Sequence, residues 1–219
     1  MEIRSGHAKV GDDLELYYED LGNPGDPPVL LIMGLGAQLL LWRDGFCERL
    51  VEQGYRVIRY DNRDVGLSTK LHGQRPGGAL VPNLVRSYLG KPSPSVYTLE
   101  HMADDAAALL DHLGIERAHV VGASMGGMIA QIFAARHPDR TAALGIIFSS
   151  NNSAFLPPPA PKALLSLIKG PPPGSPRDVI VENSIRVSKI IGSPGYRKSE
   201  EQLRAEAIES YRSEERRVG

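Results

Sequence analysis

The sequence predicts an α/β protein, a mostly parallel sheet covered by helices on both faces, on three observations. Short β-branched runs alternate with longer helical patterns over the first two thirds of the chain, the order that a strand-helix-strand fold requires. The runs at 29–33, 118–122 and 141–149 are apolar with little alternation, as strands covered on both faces must be. Two of them, 29–33 and 118–122, open into glycine-rich turns that lead to a helix.

Residues 14–19 alternate like an outer strand, and Asn23-Pro24-Gly25-Asp26-Pro27-Pro28 is a turn cluster, so a hairpin joining 14–19 to 29–33 is expected. A helix at 42–53 and a strand at 55–60 follow. Residues 69–97 are rich in Gly, Pro and Ser, with one apolar patch at 80–89, and read as a long excursion at the sheet's edge. Thr98 can cap an amphipathic helix with Leu99, Met102, Ala106, Leu109, Leu110 and Leu113 on one face and Asp104, Asp105 and Asp111 on the other. Gly114 stops it. After the strand at 118–122 comes a helix at 125–136, ended by His137-Pro138, and then the strand at 141–149.

Beyond Asn151-Asn152 the texture changes. Prolines bracket helical pieces at 163–169 and 179–191, and a helical pattern continues to Tyr211, which is the character of an inserted lid. The expected organisation is a core at 1–152, a lid segment at 153–211 and a non-native tail at 212–219. The tail, Arg212-Ser213-Glu214-Glu215-Arg216-Arg217-Val218-Gly219, looks like the translation of a sequencing-library adapter, with a solvated helix end as the alternative.

Composition narrows the partners. With 25 basic against 26 acidic residues, a net charge of −1 and no basic stripe, a nucleic-acid partner is not expected. The longest apolar stretch, 28–42, is too short and too broken by glycine to span a bilayer, and the N-terminus lacks an apolar signal region, so a cytoplasmic protein is expected. Cys47 is the only cysteine, which leaves no internal disulfide and no cysteine metal cluster.

The sharpest motif is Gly122-Ala123-Ser124-Met125-Gly126-Gly127, a buried strand running into a helix through a Gly-x-Ser-x-Gly turn. A serine hydroxyl is a poor nucleophile unless held exposed on a tight turn, and the flanking glycines let strand and helix cross without Cβ clashes. Ser124 is thus the candidate nucleophile. An oxyanion formed on an attacked acyl carbon needs preset donors, and the Met125 backbone N–H supplies one. The second glycine loop, Met33-Gly34-Leu35-Gly36, supplies the other through the Leu35 N–H, with Gly34 giving the backbone room to turn. A dinucleotide fingerprint is the competing reading of that loop, and it fails at the third glycine position, where Leu39 stands.

These motifs stand in the order shown by the α/β-hydrolase family, and the chain resembles that family from residue 14 to residue 211. Asp61-Asn62-Arg63-Asp64-Val65-Gly66-Leu67-Ser68 looks like the family's Asp-x-Arg-Gly-x-Gly-x-Ser loop, with Asp64 in place of a glycine, and Met33-Gly34 stands where His-Gly is common. Together with Tyr97-Thr98-Leu99 and Gly126-Gly127-Met128-Ile129-Ala130-Gln131, these departures resemble the aclacinomycin methylesterase-like bacterial esterases. Asp61 and Arg63 read as loop-bracing residues, because the family places its triad elsewhere.

In that fold the triad runs Ser, then Asp or Glu, then His. The only histidine after Ser124 is His137, at the far end of the helix that Ser124 opens, where it is expected to interact with the last helix carbonyls. Asp139 lies in the next turn, Asp178 lies in the lid, and the strand end at 149–152 carries Ser149-Ser150-Asn151-Asn152. His7, His72, His101, His112 and His119 precede the nucleophile and read as surface or structural imidazoles. Neither triad partner is therefore expected in the chain. The resemblance implies that two strands and their helices, about 60 to 90 residues, are missing. Without them, 141–149 becomes an exposed apolar edge.

The functional expectation is a serine hydrolase acting on a carboxylic ester through an acyl-enzyme, here as an impaired fragment, with no metal and no organic cofactor. Leu84, Leu89, Phe155, Leu164, Leu165 and Ile168 would favour a small-molecule ester with an apolar portion, unless they merely pack the lid on itself. The alternatives are a cofactor-free haloperoxidase or a carbon–carbon bond hydrolase of the same fold, or a non-catalytic small-ligand binding module. The dehalogenase and epoxide hydrolase branches are disfavoured because their nucleophile is an aspartate.

Overall fold

The computed structural model describes residues 2–71, 86, 89–91, 95–151, 153, 155–156, 160–172 and 174–215, and only the backbone of 168 and of 212–215. Most of the excursion at 72–94, with His72 and Leu84, and also Asn152 and residues 216–219, fall outside that description. The chain divides into two compact units, Met1–Phe155 and Leu156–Gly219.

The first unit is built on a sheet of β1 (Ile3–Lys9), β2 (Glu15–Leu21), β3 (Pro28–Ile32), β4 (Arg56–Tyr60), β5 (Ala118–Ala123) and β6 (Thr141–Ile147). Their order is β1-β2-β4-β3-β5-β6. The run β4-β3-β5-β6 is parallel, while β2 is antiparallel to β1 and to β4. The alternation of two puts Leu30, Ile32 and Val120 into a core shared with α2 (Leu99–His112) and α3 (Met125–Arg136). Val29, Leu31 and Ala123 go to the opposite core, with Trp42 and with Cys47 of α1 (Asp44–Glu52). A strand dressed on both faces has no use for polar side chains, and the unbroken apolar run at 29–33 follows from that.

Two expectations about neighbours are corrected. The turn cluster at 23–28 does not join a hairpin, because β2 and β3 lie on opposite sides of β4. The apolar run of β3 requires a central position, whereas β2, buried less completely, takes its antiparallel partner from β1. β1 itself was not expected, since only Ala8 of its seven residues is buried and its sequence shows no apolar face.

The second correction concerns Asp105, placed by periodicity on the polar face of α2. It is 5% exposed and forms a two-pronged ion pair with Arg63, at 2.7 and 2.6 Å. The Arg63 guanidinium also lies 5.1 Å from the Tyr97 ring centre. The loop after β4 thus covers part of the polar face and supplies a cation where the carboxylate would otherwise be stranded. The N-terminus of α2 is capped as expected: the Thr98 hydroxyl accepts from the His101 N–H, and His101 Nδ1 accepts from the Thr98 N–H.

Among the described residues no strand pairs with the outer side of β6, and Leu144 and Ile146 are exposed. The second unit contains α4 (Pro161–Ile168), α5 (Arg177–Ile191) and α6 (Glu200–Glu215), with Val181 and Ile185 of α5 packed on Leu203 and Ala207 of α6. No helix of the described residues is long and apolar enough to cross a membrane.

Candidate active site

Ser124 sits between β5 and α3 with φ 55° and ψ −125°, a backbone conformation that L-residues rarely adopt. Its N–H donates to the Ile147 carbonyl of β6 at 3.0 Å, and its carbonyl accepts from the Gly127 N–H at 2.9 Å. The side chain is half-buried. The glycines around it are a steric requirement. A Cβ on Gly122 would lie 2.1 Å from the Gly126 carbonyl oxygen, and one on Gly126 would lie 2.2 Å from that of Ile32. Strand and helix cross too closely for any side chain there.

The loop at 33–38 leaves β3 and passes directly beside the serine. A Cβ on Gly34 would stand 3.0 Å from Ser124 Cβ and 3.3 Å from its Oγ. Gly36 has φ +62°, and the Ala37 N–H closes a turn onto the Gly34 carbonyl at 3.2 Å. The Leu35 side chain is exposed, and neither its N–H nor that of Met125 bonds to another described residue. Gly34, Leu35, Ser124 and Met125 are therefore brought together. Two free backbone donors flanking a strained hydroxyl can stabilise an oxyanion.

The loop at 61–68 holds the far side. The Asp61 carboxylate accepts from the Leu39 N–H at 2.7 Å and from the Leu67 N–H at 2.9 Å, and Asn62 Nδ2 donates to the Met33 carbonyl at 2.9 Å. Sequence reasoning assigned Asp61 to bracing and overlooked Asn62, because an amide beside an acidic residue in a loop carries no distinguishing pattern. Burial pushes the Asp61 carboxyl up to about 6, against its two backbone donors, which pull it down. Since folding raises this pKa from 3.8, its contribution to stability is fully present below that pH. The contribution is lost as pH rises through about 6, about 3 kcal/mol in all.

Asp64, which stands where the family loop has glycine, has φ 65°. That conformation explains the glycine, and Asp tolerates it while its Oδ1 accepts from the Leu71 N–H at 2.6 Å. Asp64→Ala should cost about 1 to 2 kcal/mol of stability, and Asp64→Gly less than about 1, measured as urea unfolding. Equal losses in the two variants would show that the side-chain hydrogen bond dominates.

The described histidines are occupied elsewhere. His7 Nε2 lies 3.3 Å from the Leu67 carbonyl, His101 caps α2, and His112 and His119 pack edge-on against Tyr18 and Tyr55. His137 ends α3, about 20 Å of helix from Ser124. Its imidazole does not turn to the last helix carbonyls, as expected from sequence; it lies against Phe133, with Nε2 3.5 Å from the Asp104 carboxylate. Arg136, bonded to that carboxylate at 3.0 Å, draws Asp104 to this end of the helix. Asp139 and Asp178 are exposed. An open groove of about 310 Å³ between Phe46, Tyr55, His119 and Leu144 lies along the middle of β5 and β6, apart from the serine at the carboxyl end of β5.

An elbow of this form, at the carboxyl end of a central parallel strand, places the chain among the α/β proteins built around a strained strand-to-helix turn. Residues 27–170 match the family model of the alpha/beta hydrolase fold, and the chain belongs to that family. It is 38% identical over 138 residues to rhodomycin D methylesterase DnrP of Streptomyces peucetius, covering 63% of this chain and 40% of the methylesterase. It is 25% identical over 182 residues to the bifunctional esterase/perhydrolase DCH of Acinetobacter calcoaceticus, covering 80% of this chain and 51% of that protein.

The first of these relatives bears out the expected resemblance to bacterial methylesterases. The solved structure of 2-hydroxy-6-oxo-6-phenylhexa-2,4-dienoate hydrolase from Rhodococcus sp. strain RHA1 matches with a TM-score of 0.65 at 19% identity, over 98% of this chain and 70% of that one, a likeness of fold. The chain spans about 40% of the length of the methylesterase it matches.

Proposed function

We infer that this chain carries the nucleophile half of a serine hydrolase that cleaves a carboxylic ester. The observation that carries the reading is the Ser124 backbone at φ 55°, held under the Gly34 loop. Ser124 Oγ attacks the ester carbonyl, and the N–H groups of Met125 and Leu35 hold the developing oxyanion. The C–O bond to the alcohol breaks, the alcohol leaves with the proton given up by the Ser124 hydroxyl, and water then cleaves the acyl-serine, which frees the carboxylic acid and restores the hydroxyl. The methylesterase relative supports an ester as the substrate class. In this reading neither the acid nor the histidine of the triad is among the 219 residues.

A fluorophosphonate probe tests the assignment without requiring turnover. Slow, stoichiometric labelling of the peptide containing Ser124, absent in Ser124→Ala, is the expected result by mass spectrometry. Labelling that persists in Ser124→Ala, or none in the wild type over days at millimolar probe, would overturn it.

A further inference from the structure

We propose that Asp61 and Asn62 are positioning residues that clamp both ends of the loop carrying the Leu35 donor over Ser124. The proposal rests on the serine-hydrolase reading and adds how its oxyanion donor is held. Two adjacent residues at the end of β4 reach the two ends of one loop. Asn62 Nδ2 fixes the Met33 carbonyl, and with it the plane of the peptide whose N–H belongs to Gly34. Asp61 Oδ1 fixes the Leu39 N–H at the other end. Between these points the chain is a tight turn closed by the bond from Ala37 to Gly34, so its ends determine where the Leu35 N–H points.

The clamp is itself enclosed. Asp61 Oδ2 takes the Leu67 N–H, and the Asp61 carbonyl takes the Ser68 hydroxyl at 2.5 Å. Gly66, at φ +49°, leaves room for the carboxylate, since a Cβ there would lie 2.0 Å from Asp61 Oδ2. A buried carboxylate that accepts two backbone donors from two different loops has more than a local turn to hold. Its ionised form matters, because protonation turns one oxygen into a donor and leaves one of the two N–H groups without a full acceptor. The charged groups acting on Asp61 are Lys70, which favours ionisation, and Glu19 of β2, which opposes it and is itself paired with Arg59. With burial holding the carboxyl near 6, the clamp is set at neutral pH and loosens below it.

Amide hydrogen exchange and probe labelling test the clamp together. In the wild-type chain the protection factor of the Leu39 amide should fall by about tenfold between pH 7.5 and pH 5, while ladder amides such as Leu31 and Val120 keep theirs. Asp61→Asn should show the low Leu39 protection at both pH values, and Asn62→Asp should remove the Met33 bond without changing side-chain size. Both variants should label Ser124 with fluorophosphonate about tenfold more slowly at pH 7.5, because a displaced donor is worth part of a lost one.

The Leu31 and Val120 amides report whether each variant remains folded, and if neither does, the wild-type pH series decides. Leu39 protection independent of pH and of Asp61 would overturn the clamp. So would unchanged labelling in folded variants whose Leu39 amide has opened. Absence of labelling in the wild type would count against the serine reading alone, and the Leu39 exchange would still decide the clamp.

Discussion

Hydrolysis of p-nitrophenyl acetate by the 219-residue chain is expected to run about a millionfold below that of a complete serine triad. The reason lies in where the imidazoles are. His7, His101, His112, His119 and His137 each contact a carbonyl, a helix N-terminus, an aromatic ring or a carboxylate away from Ser124. On the serine-hydrolase reading, a strained serine between two backbone donors would retain the part of catalysis that comes from oxyanion stabilisation, about 10³ to 10⁴ over water. Among the described residues no imidazole stands beside Ser124 to supply the part that needs a proton acceptor. The rate should therefore climb with hydroxide from pH 6 to pH 9, with no plateau near the histidine range, and the excess over Ser124→Ala should be small throughout. Turnover of about 1 to 10 per second, lost in Ser124→Ala and levelling off above pH 7, would show that a base acts on Ser124 within this chain.

What could be read from the sequence divides along the range of the interaction. The elbow was legible because its constraint is local: five consecutive residues must cross a strand and a helix, and only glycine fits at two of them. The central strands were legible for a similar reason, since burial on both faces leaves an apolar run with nothing between. β1 was not, because an outer strand with one buried residue needs only backbone partners, and backbone partners leave no mark on composition. The misplaced hairpin shows the same limit, for a turn cluster indicates that the chain reverses and says nothing of which strand comes between. Helical periodicity places Asp105 on the polar face of α2, yet its side chain is buried. Periodicity has no means of showing that Arg63, 42 positions earlier, folds over that face. The clamp by Asp61 and Asn62 spans 22 and 29 positions, and its partners are backbone atoms whose identity does not depend on the residue type.

Gly126→Ala should cost more than about 4 kcal/mol and leave the elbow unformed. The added Cβ would lie 2.2 Å from the Ile32 carbonyl oxygen and 2.8 Å from that of Met33. Neither can withdraw cheaply. Ile32 pairs with Gly122 in the β3–β5 ladder and is fully buried, and the Met33 carbonyl is held by Asn62. Relief requires α3 to move away from the sheet, which would open the packing of Ile129, Ala130 and Phe133 and draw Ser124 away from the Gly34 loop. Gly36→Ala is the matched comparison. It lies in the same loop system with φ +62°, but nothing stands within 4 Å of its Cβ position, so the cost should be the left-handed backbone alone, about 1 to 2 kcal/mol. Chemical denaturation of the two variants measures the difference directly. Similar losses in both would mean that strand and helix can separate at the crossing, and that the serine's strained geometry is not imposed by the glycine contact.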